Sequence, residues 1–332
     1  MNAVDIKENT LDYEVLSILL IDRTTGKNIV WATDDYCTRG ENFSFSDSIR
    51  LEQITRENGT VIKPRVEKGK DAQTQRSKDK AEVFTPSWVC NAQNNLIDDA
   101  WFGKHTNRFN KELGTTWEST YARKNPNDKR DRIKFPDTPG KTWEDYVLAN
   151  RLEISCGEAP YLTSRYDTVT GKYINPKNRI GLLDRKLRVI SENIYDAELW
   201  LDWAEKALQS TYGFEWQGDN ILLARENVLL ATVEAYNEYF CSAIDKERLM
   251  RFAEIISWNI WQMDGIKLVI PNSCHDKIEF QTQLDGTEVE IRTPCLGCKC
   301  GDRKQHNGIY ANIMDWAENK VVRFADITEE AK

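Results

Sequence analysis

A short segment near the middle of the chain has residue types that could hold a small molecule. It reads Arg151-Leu-Glu-Ile-Ser-Cys-Gly-Glu-Ala-Pro-Tyr161, and apolar and polar residues alternate before the chain turns toward a predicted helix. Glycine has no Cβ, so Gly157 lets the backbone turn and pass close to a ligand. Ligands of open α/β sheets gather at the carboxyl ends of strands. The segment therefore predicts a small-molecule site around Glu153 and Gly157.

Two further acids end predicted strands in a similar way. Glu215 closes one strand directly before the strongest helical pattern of the sequence, at 218–236. Its two carboxylate oxygens match the neighbouring hydroxyls of a ribose in geometry and charge. Asp264 closes the apolar run 258–265 and could accept an exocyclic amine. We expect the three acids to meet if strands and helices alternate around a mainly parallel sheet.

A cluster of cysteines near the C-terminus indicates a metal site. Cys295, Cys298 and Cys300 lie within six residues, and Cys274 and His306 are within reach in sequence. Zinc prefers four such ligands, and a Cys-x-x-Cys turn directs both sulfurs at one point. We expect a structural zinc, with Cys300 or His306 as the undecided fourth ligand. The alternative is a loop of reduced, unliganded cysteines. A catalytic zinc is not expected, because no residue nearby is an obvious general base.

Length, charge and hydropathy restrict the class of protein. The 332 residues are long enough for two or three domain-sized units. A net charge of -8 and a pI near 5.2 argue against a protein that coats nucleic acid with its whole surface. No uninterrupted apolar stretch approaches ~18 residues, and the N-terminus lacks the pattern of a signal peptide. We therefore expect a cytoplasmic protein with no membrane partner.

Hydrophobic patterns predict the elements that position these residues. Residues 13–33 are predicted to form a β-hairpin. Helices are predicted at 87–101, 191–210 and 218–236, and the last of them has Asp219 or Asn220 as its cap. Short strands are predicted at 152–154, 181–183 and 213–215. A further hairpin is expected at Asp285-Gly286.

Two basic runs stand out against the acidic background. Residues 61–80 carry seven basic and three acidic side chains, and residues 121–134 carry six and two, so each run has a net charge of +4. Runs of this kind are usually solvated loops or helix faces, which is our prediction for the first run, with contact to phosphates as the alternative. The second run is rich in Asn, Pro and Asp and is predicted to be a loop.

Three segments in chain order resemble the N6-adenine DNA methyltransferases of restriction-modification systems. They are Phe84-Thr85-Pro86, then Glu153-Ile-Ser-Cys-Gly157, then Tyr212-Gly-Phe-Glu215 with Leu-Ala-Arg-Glu-Asn-Val-Leu-Leu230. That family usually reads Phe/Tyr-Thr-Pro, Asp/Glu-Pro-Ala/Ser-Cys-Gly, and Gly-x-Glu before a helix rich in Ala-Arg/Lys-x-Asn-Leu. Segments 179–186 and 258–267 extend a similarity to modification subunits of restriction endonucleases over nearly the whole chain. The alternative is a generic α/β protein with accidental motif matches.

The resemblance implies a fold and a cofactor. The fold would be α/β, with a Rossmann-like sheet of the class I S-adenosylmethionine-dependent methyltransferases at 81–272. A β-containing helical region at 1–80 would precede it, and a small Cys-rich, zinc-binding appendage at 273–332 would follow. Glu153 and Gly157 would hold the methionine portion of S-adenosylmethionine, Glu215 its ribose, and Asp264 would lie near its adenine. The implied cofactor-binding residues are Phe84, Thr85, Pro86, Glu153, Ser155, Cys156, Gly157, Tyr161, Glu215, Trp216 and Asp264.

One expected motif is missing from the sequence. Adenine methyltransferases of this class carry Asn/Asp-Pro-Pro-Tyr/Phe, which stacks on the flipped adenine and accepts hydrogen bonds from its amine. The nearest strings, at 125–127, 175–178 and 271–273, have no adjacent aromatic residue. In larger relatives the motif would be expected beyond a segment like 315–326. We therefore expect a DNA-binding, methyltransferase-like protein that is inactive or incomplete alone.

Two alternatives remain open at this point. The chain could be a non-catalytic partner, either a split-enzyme subunit completed by a second protein that supplies the missing motif or a decoy that occupies a restriction complex. It could also be an enzyme that uses the same cofactor with a different acceptor, because a fold does not determine a function.

Overall fold

A computed structural model describes residues 11–79, 85–103, 108–121, 132–283 and 288–327. These residues form a mixed arrangement of helices and strands that includes a parallel sheet, as expected of an α/β protein. The helices are α1 (Tyr13–Leu20), α2 (Leu51–Ile54), α3 (Lys70–Asp79), α4 (Ser87–Phe102), α5 (Trp143–Leu148), α6 (Leu182–Asn193), α7 (Ala197–Gln209), α8 (Gly218–Phe240), α9 (Lys246–Asn259), α10 (Leu296–Cys300) and α11 (Phe324–Ile327). The strands are β1 (Asn110–Leu113), β2 (Thr116–Ser119), β3 (Arg151–Ile154), β4 (Thr211–Glu215), β5 (Ile260–Gln262), β6 (Lys277–Thr282), β7 (Glu288–Thr293), β8 (Asn312–Asp315) and β9 (Lys320–Arg323).

The parallel sheet has the order β3-β4-β5. Glu153 lies opposite Gly213, and Glu215 lies opposite Gln262. Helices α6 and α7 connect the first two strands, and α8 and α9 connect the last two, which is the crossover that parallel pairing requires. Because the three strands run in the same direction, their carboxyl ends lie at one edge of the sheet.

The remaining strands form three antiparallel pairs. They are β1 with β2, β6 with β7, and β8 with β9. Every residue of β6 and β7 is exposed, so this hairpin projects from the body of the protein. The hairpin expected here is confirmed in its two strands, while its turn at Asp285-Gly286 lies outside the described residues.

One large hydrophobic core joins the N-terminal helix to the sheet. It contains Leu16 and Leu19 of α1, Trp31, Trp200 of α7, and residues 221–224, 228 and 229 of α8, all fully or almost fully buried. A second, smaller cluster packs β8 and α11 against β4 and β5; its buried members are Phe214, Trp261, Met263, Leu268, Ile270, Ala311, Ile313 and Ala325. The C-terminal segment is therefore attached to the edge of the parallel sheet by apolar contacts.

The central elements agree with the sequence analysis. The helices predicted at 87–101 and 218–236 are α4 and α8, and the strands predicted at 152–154 and 213–215 are β3 and β4. Most of the basic run 121–134 lies outside the described residues. In the described parts of the chain, no helix is both long enough and apolar enough to cross a membrane.

Four predictions are wrong in detail. Residues 13–20 form a helix rather than a hairpin strand, because the buried residues 15, 16, 19 and 20 follow a helical spacing. Of the predicted hairpin, the structure contains only an antiparallel bridge between Ile21 and Asn28. The strand predicted at 181–183 is the start of α6, and the helix predicted at 191–210 is the end of α6 followed by a separate α7 capped by Asp196. Helix α8 has Gln217 at its N-cap, and Asp219 bonds to other partners.

Candidate functional site

A cavity of about 1010 Å³ opens at the carboxyl ends of β3 and β4. It is the position that open α/β sheets use for small ligands. The lining residues come from β3 and the loop after it, the end of β4, helix α4 and an N-terminal segment: Ala32, Thr33, Asp34, Asp35, Phe45, Thr85, Gln93, Asn94, Ile97, Leu152, Glu153, Ile154, Ser155, Cys156, Gly157, Glu158, Pro160, Tyr161, Leu182, Glu215, Trp216, Gln217 and Asn220.

The loop after β3 has an unusual backbone. Ser155, Gly157 and Ala159 have φ angles of 49°, 52° and 61°, in the left-handed region that most residues avoid. A Cβ on Gly157 would meet no atom within 4 Å, so the position favours glycine for its φ angle rather than for space. Backbone conformations of this kind cluster at ligand sites, where the surrounding structure holds them in place.

Two buried carboxylates hold this loop. Glu153 accepts hydrogen bonds from the backbone N–H groups of Tyr161 (3.3 Å) and Leu162 (3.1 Å). Glu215 accepts one from the N–H of Gly157 at 2.9 Å. Burial raises the pKa of both carboxyls, and in each case the backbone N–H donors oppose that rise. A carboxylate has about four acceptor positions, so Glu215 keeps acceptor capacity for a ligand hydroxyl.

An N-terminal segment, residues 32–35 with Phe45, forms another wall of the cavity. Arg76 of α3 holds it through a 2.7 Å ion pair with Asp35, and Arg76 also donates to Gln217 and pairs with Asp219. Phe45 and Trp216 lie with ring centroids 6.1 Å apart. Sequence reasoning missed this wall, and it predicted a solvated surface for the run that contains Arg76, which is buried.

Among the described residues that line the cavity, the charged side chains are all acidic. Its carboxylates are Asp34, Asp35, Glu153, Glu158 and Glu215, and none of the described residues that line it is lysine, arginine or histidine. Glu158 is tied to Tyr166 and to the N–H of Arg65. A negative wall attracts cations and hydrogen-bond donors and repels phosphates.

The structure brings together eight of the eleven residues predicted for the cofactor. Those that line the cavity are Thr85, Glu153, Ser155, Cys156, Gly157, Tyr161, Glu215 and Trp216. Pro86 is the N-cap of α4 and does not line it, and Phe84 lies outside the described residues. Asp264 is not part of the lining, because its carboxylate accepts the N–H groups of Ile266 and Lys267 and closes a local turn.

Cys156 is a buried packing residue in the loop after β3. Its side chain is buried, and burial raises the pKa of its thiol well above the usual value. A reactive cysteine needs the opposite shift, because the thiolate is the nucleophile.

A second candidate site lies in the C-terminal segment, where Cys274, Cys295, Cys298 and His306 could hold a metal ion. Their ligand atoms all lie within 4.8 Å of one another. Cys274 Sγ is 3.7 Å from Cys298 Sγ, and His306 Nδ1 is 3.5 to 3.6 Å from the three sulfurs. A tetrahedron with Zn–S bonds of about 2.3 Å and a Zn–N bond of about 2.05 Å has edges of about 3.8 and 3.6 Å, and these four distances match such edges.

Backbone contacts shape the metal cluster. A Cβ on Gly297 would lie 2.7 Å from the backbone nitrogen of His306, so glycine lets the turn approach this ligand closely. The N–H of Asn307 donates to Cys295 Sγ at 3.3 Å. Desolvation acts to raise the pKa of Cys295, but N–H donors from Cys298 and Asn307 outweigh it and lower that pKa to about 6.

Cys300 is not part of the cluster. Of the two residues predicted as the fourth ligand, the structure therefore favours His306. Its Sγ donates instead to the carbonyl of Leu296. Both Cys298 and Cys300 lie on α10, and two residues correspond to about 200° around a helix, so the two side chains point in different directions.

Comparisons with models of protein families, with curated proteins and with solved structures found no match to this chain.

Proposed function

We propose that the cavity binds S-adenosylmethionine and that the chain is a methyltransferase-like protein of a DNA modification system. One observation carries the proposal: Glu153, near the end of β3, and Glu215, at the end of the adjacent parallel strand β4, line one cavity around the loop at Gly157. The resemblance to N6-adenine methyltransferases assigns the cofactor to these residues. Glu215 would accept the ribose hydroxyls, and the loop would hold the methionine portion.

The charge of the cavity supports this cofactor over nucleotides that carry phosphates. S-adenosylmethionine has a sulfonium, an ammonium and a ribose diol, and each of these is a cation or a hydrogen-bond donor. NAD and ATP would place phosphates against a lining that has five carboxylates and, among its described residues, no basic side chain. The cofactor itself has a single carboxylate, whereas NAD and ATP have two and three phosphates.

The fold is compatible with the same reading. The three parallel strands follow the chain in the order β3-β4-β5, with helices in both crossovers. We propose that they are part of a Rossmann-like class I methyltransferase sheet, with an acid near the end of each of the first two strands. The proposal does not use Asp264, which closes its own turn.

We also propose that these 332 residues bind the cofactor without methylating adenine by themselves. No Asn/Asp-Pro-Pro-aromatic tetrapeptide occurs in the sequence to grip a flipped adenine. The same absence favours a second candidate function, a subunit that works with a partner carrying that motif. Transfer of labelled methyl groups to double-stranded DNA at a rate well above background by the purified chain would contradict the proposal.

Calorimetric titration tests the cofactor directly. S-adenosylmethionine should bind the chain, and ATP should bind much more weakly. Glu215→Gln should weaken S-adenosylmethionine binding about 10- to 150-fold, because a charge-assisted hydrogen bond is worth roughly 1.5 to 3 kcal/mol. Glu318→Gln, an exposed position in the β8–β9 turn, is the matched control and should leave binding unchanged. Absence of S-adenosylmethionine binding, or equal binding of ATP, would refute the assignment.

For the C-terminal cluster we propose a structural zinc ion. Three sulfurs and one imidazole nitrogen at tetrahedral spacing are the donor set that zinc prefers, and such closed sites stabilise small segments with little core of their own. Zinc analysis of the purified chain should give one ion per molecule. Cys298→Ser should lower this content, whereas Cys300→Ser, two residues away, should keep it; equal zinc loss in both variants would contradict the assigned ligand set.

A further inference from the structure

Asn94 of α4 carries an oxygen that has no hydrogen-bond partner in the described parts of the chain. The side chain is 0% exposed, and it lines the cavity next to β3. Leaving a buried acceptor unsatisfied costs about 1 to 3 kcal/mol. Buried polar atoms are nearly always paired, so an oxygen of this kind at a cavity wall suggests that a ligand completes it.

The orientation of the amide is fixed by its nitrogen. Asn94 Nδ2 donates to the carbonyl oxygens of Tyr161 and Ile180, each at 3.0 Å. Exchanging nitrogen and oxygen would place the Oδ1 atom against both carbonyl oxygens, which repel it. The unsatisfied atom is therefore an acceptor, and the group that completes it must be a donor.

Neighbouring asparagines on the same helix differ from Asn94. The oxygens of Asn91 and Asn95 both accept hydrogen bonds from Arg185, whose guanidinium also pairs with Asp98. These two side chains are satisfied within the protein. Among the buried side-chain atoms of α4 that the structure describes, only Asn94 Oδ1 lacks a hydrogen-bond partner.

Asn94 lies at the Glu153 end of the cavity. Tyr161 connects the two residues, because its N–H donates to Glu153 and its carbonyl accepts from Asn94. A ligand group at this end meets an amide oxygen and a buried carboxylate, and both are acceptors. A cationic group with several N–H donors and no lone pair suits this wall better than a hydroxyl or a carboxylate.

Resting on the proposed function, we infer that Asn94 Oδ1 accepts a hydrogen bond from the α-ammonium group of the methionine portion of S-adenosylmethionine. The residue thereby selects ligands with an amino group at this position. The ribose hydroxyls remain with Glu215 at the end of β4.

The test compares S-adenosylmethionine with an analogue in which hydrogen replaces the α-ammonium group. Wild-type chain should bind the natural cofactor at least about tenfold more tightly than the analogue. Asn94→Leu should reduce this preference about tenfold or more. Asn95→Ala on the same helix is the control and should retain the preference.

The outcomes separate this inference from the function on which it rests. Wild-type chain that binds neither ligand removes the proposed function. Wild-type chain that binds both ligands equally overturns the role of Asn94 and leaves the cofactor assignment standing, and this measurement needs no variant to fold. A preference that is unchanged in Asn94→Leu overturns the inference in the same way.

Discussion

Replacing Asp219 with asparagine would test how the N-terminal wall of the cavity is held in place. Asp219 is fully buried in the first turn of α8. Its carboxylate accepts from the hydroxyl of Tyr36 at 2.8 Å and pairs with Lys68 at 3.1 Å and Arg76 at 3.0 Å. The last two residues belong to the N-terminal region, and Arg76 also holds Asp35 at the cavity.

The expected magnitude follows from the burial of this cluster. Burial alone would raise the pKa of Asp219, but Lys68 and Arg76 outweigh it and hold that pKa well below its usual range. Removing one member of a buried ion pair typically costs about 3 to 5 kcal/mol, because the remaining charge is left uncompensated. Asparagine preserves the volume and one acceptor, so we expect a loss near the lower end, about 3 kcal/mol.

Urea unfolding at pH 7 would measure this loss, with Asp326→Asn as the control. Asp326 forms an exposed ion pair with Arg323, and exposed pairs contribute less than about 1 kcal/mol. Because the folded-state pKa of Asp219 lies below the unfolded value of 3.8, its stabilisation is complete above roughly pH 4 and is lost as the pH falls through the folded value. The difference between wild type and Asp219→Asn should therefore shrink in acid. A cost below about 1 kcal/mol at pH 7, or a cost that does not shrink in acid, would refute the reasoning.

Two further predictions concern the loop and the core. Gly157→Ala should lower the free energy of unfolding by about 1 to 2 kcal/mol, and Ser155→Gly should raise it by up to about 1 kcal/mol, because both positions have a left-handed backbone. Thermal unfolding measures both changes, and changes of the same sign would contradict this prediction. Arg225→Met should destabilise the chain by about 3 kcal/mol or more, because the buried guanidinium donates to the carbonyls of Leu19, Ile21, Ser257 and Ile260. A midpoint of urea unfolding equal to that of the wild type would contradict the predicted loss.

Local sequence patterns were sufficient for the elements at the centre of the site. Strands β3 and β4 each combine apolar residues with an acid in or at the end of the strand, and α8 is a long segment rich in alanine, leucine and valine. Such signals lie within a few residues of one another, so they can be read without knowing the fold. The cavity residues from Glu153 to Gly157 and at Glu215 were found for this reason.

Other features depend on contacts between distant parts of the chain. Arg76 lies in a basic run that is typical of a solvated surface, and its partner Asp219 is 143 residues away. Helix α1 is only eight residues long, and such a short apolar run fits a strand nearly as well as a helix. The choice between Cys300 and His306 required the direction of side chains on α10, which residue spacing alone did not determine.

The exposed β6–β7 hairpin has a consequence for how the C-terminal segment tolerates change. It lies between the first and second cysteines of the metal cluster, and neither of its strands belongs to a hydrophobic core. With a metal bound, the two cysteines that flank the hairpin would be held by the same ion, whatever the length of the hairpin between them. Insertions or a reporter peptide placed within it should therefore alter the reach of the hairpin without disturbing the cavity or the sheet.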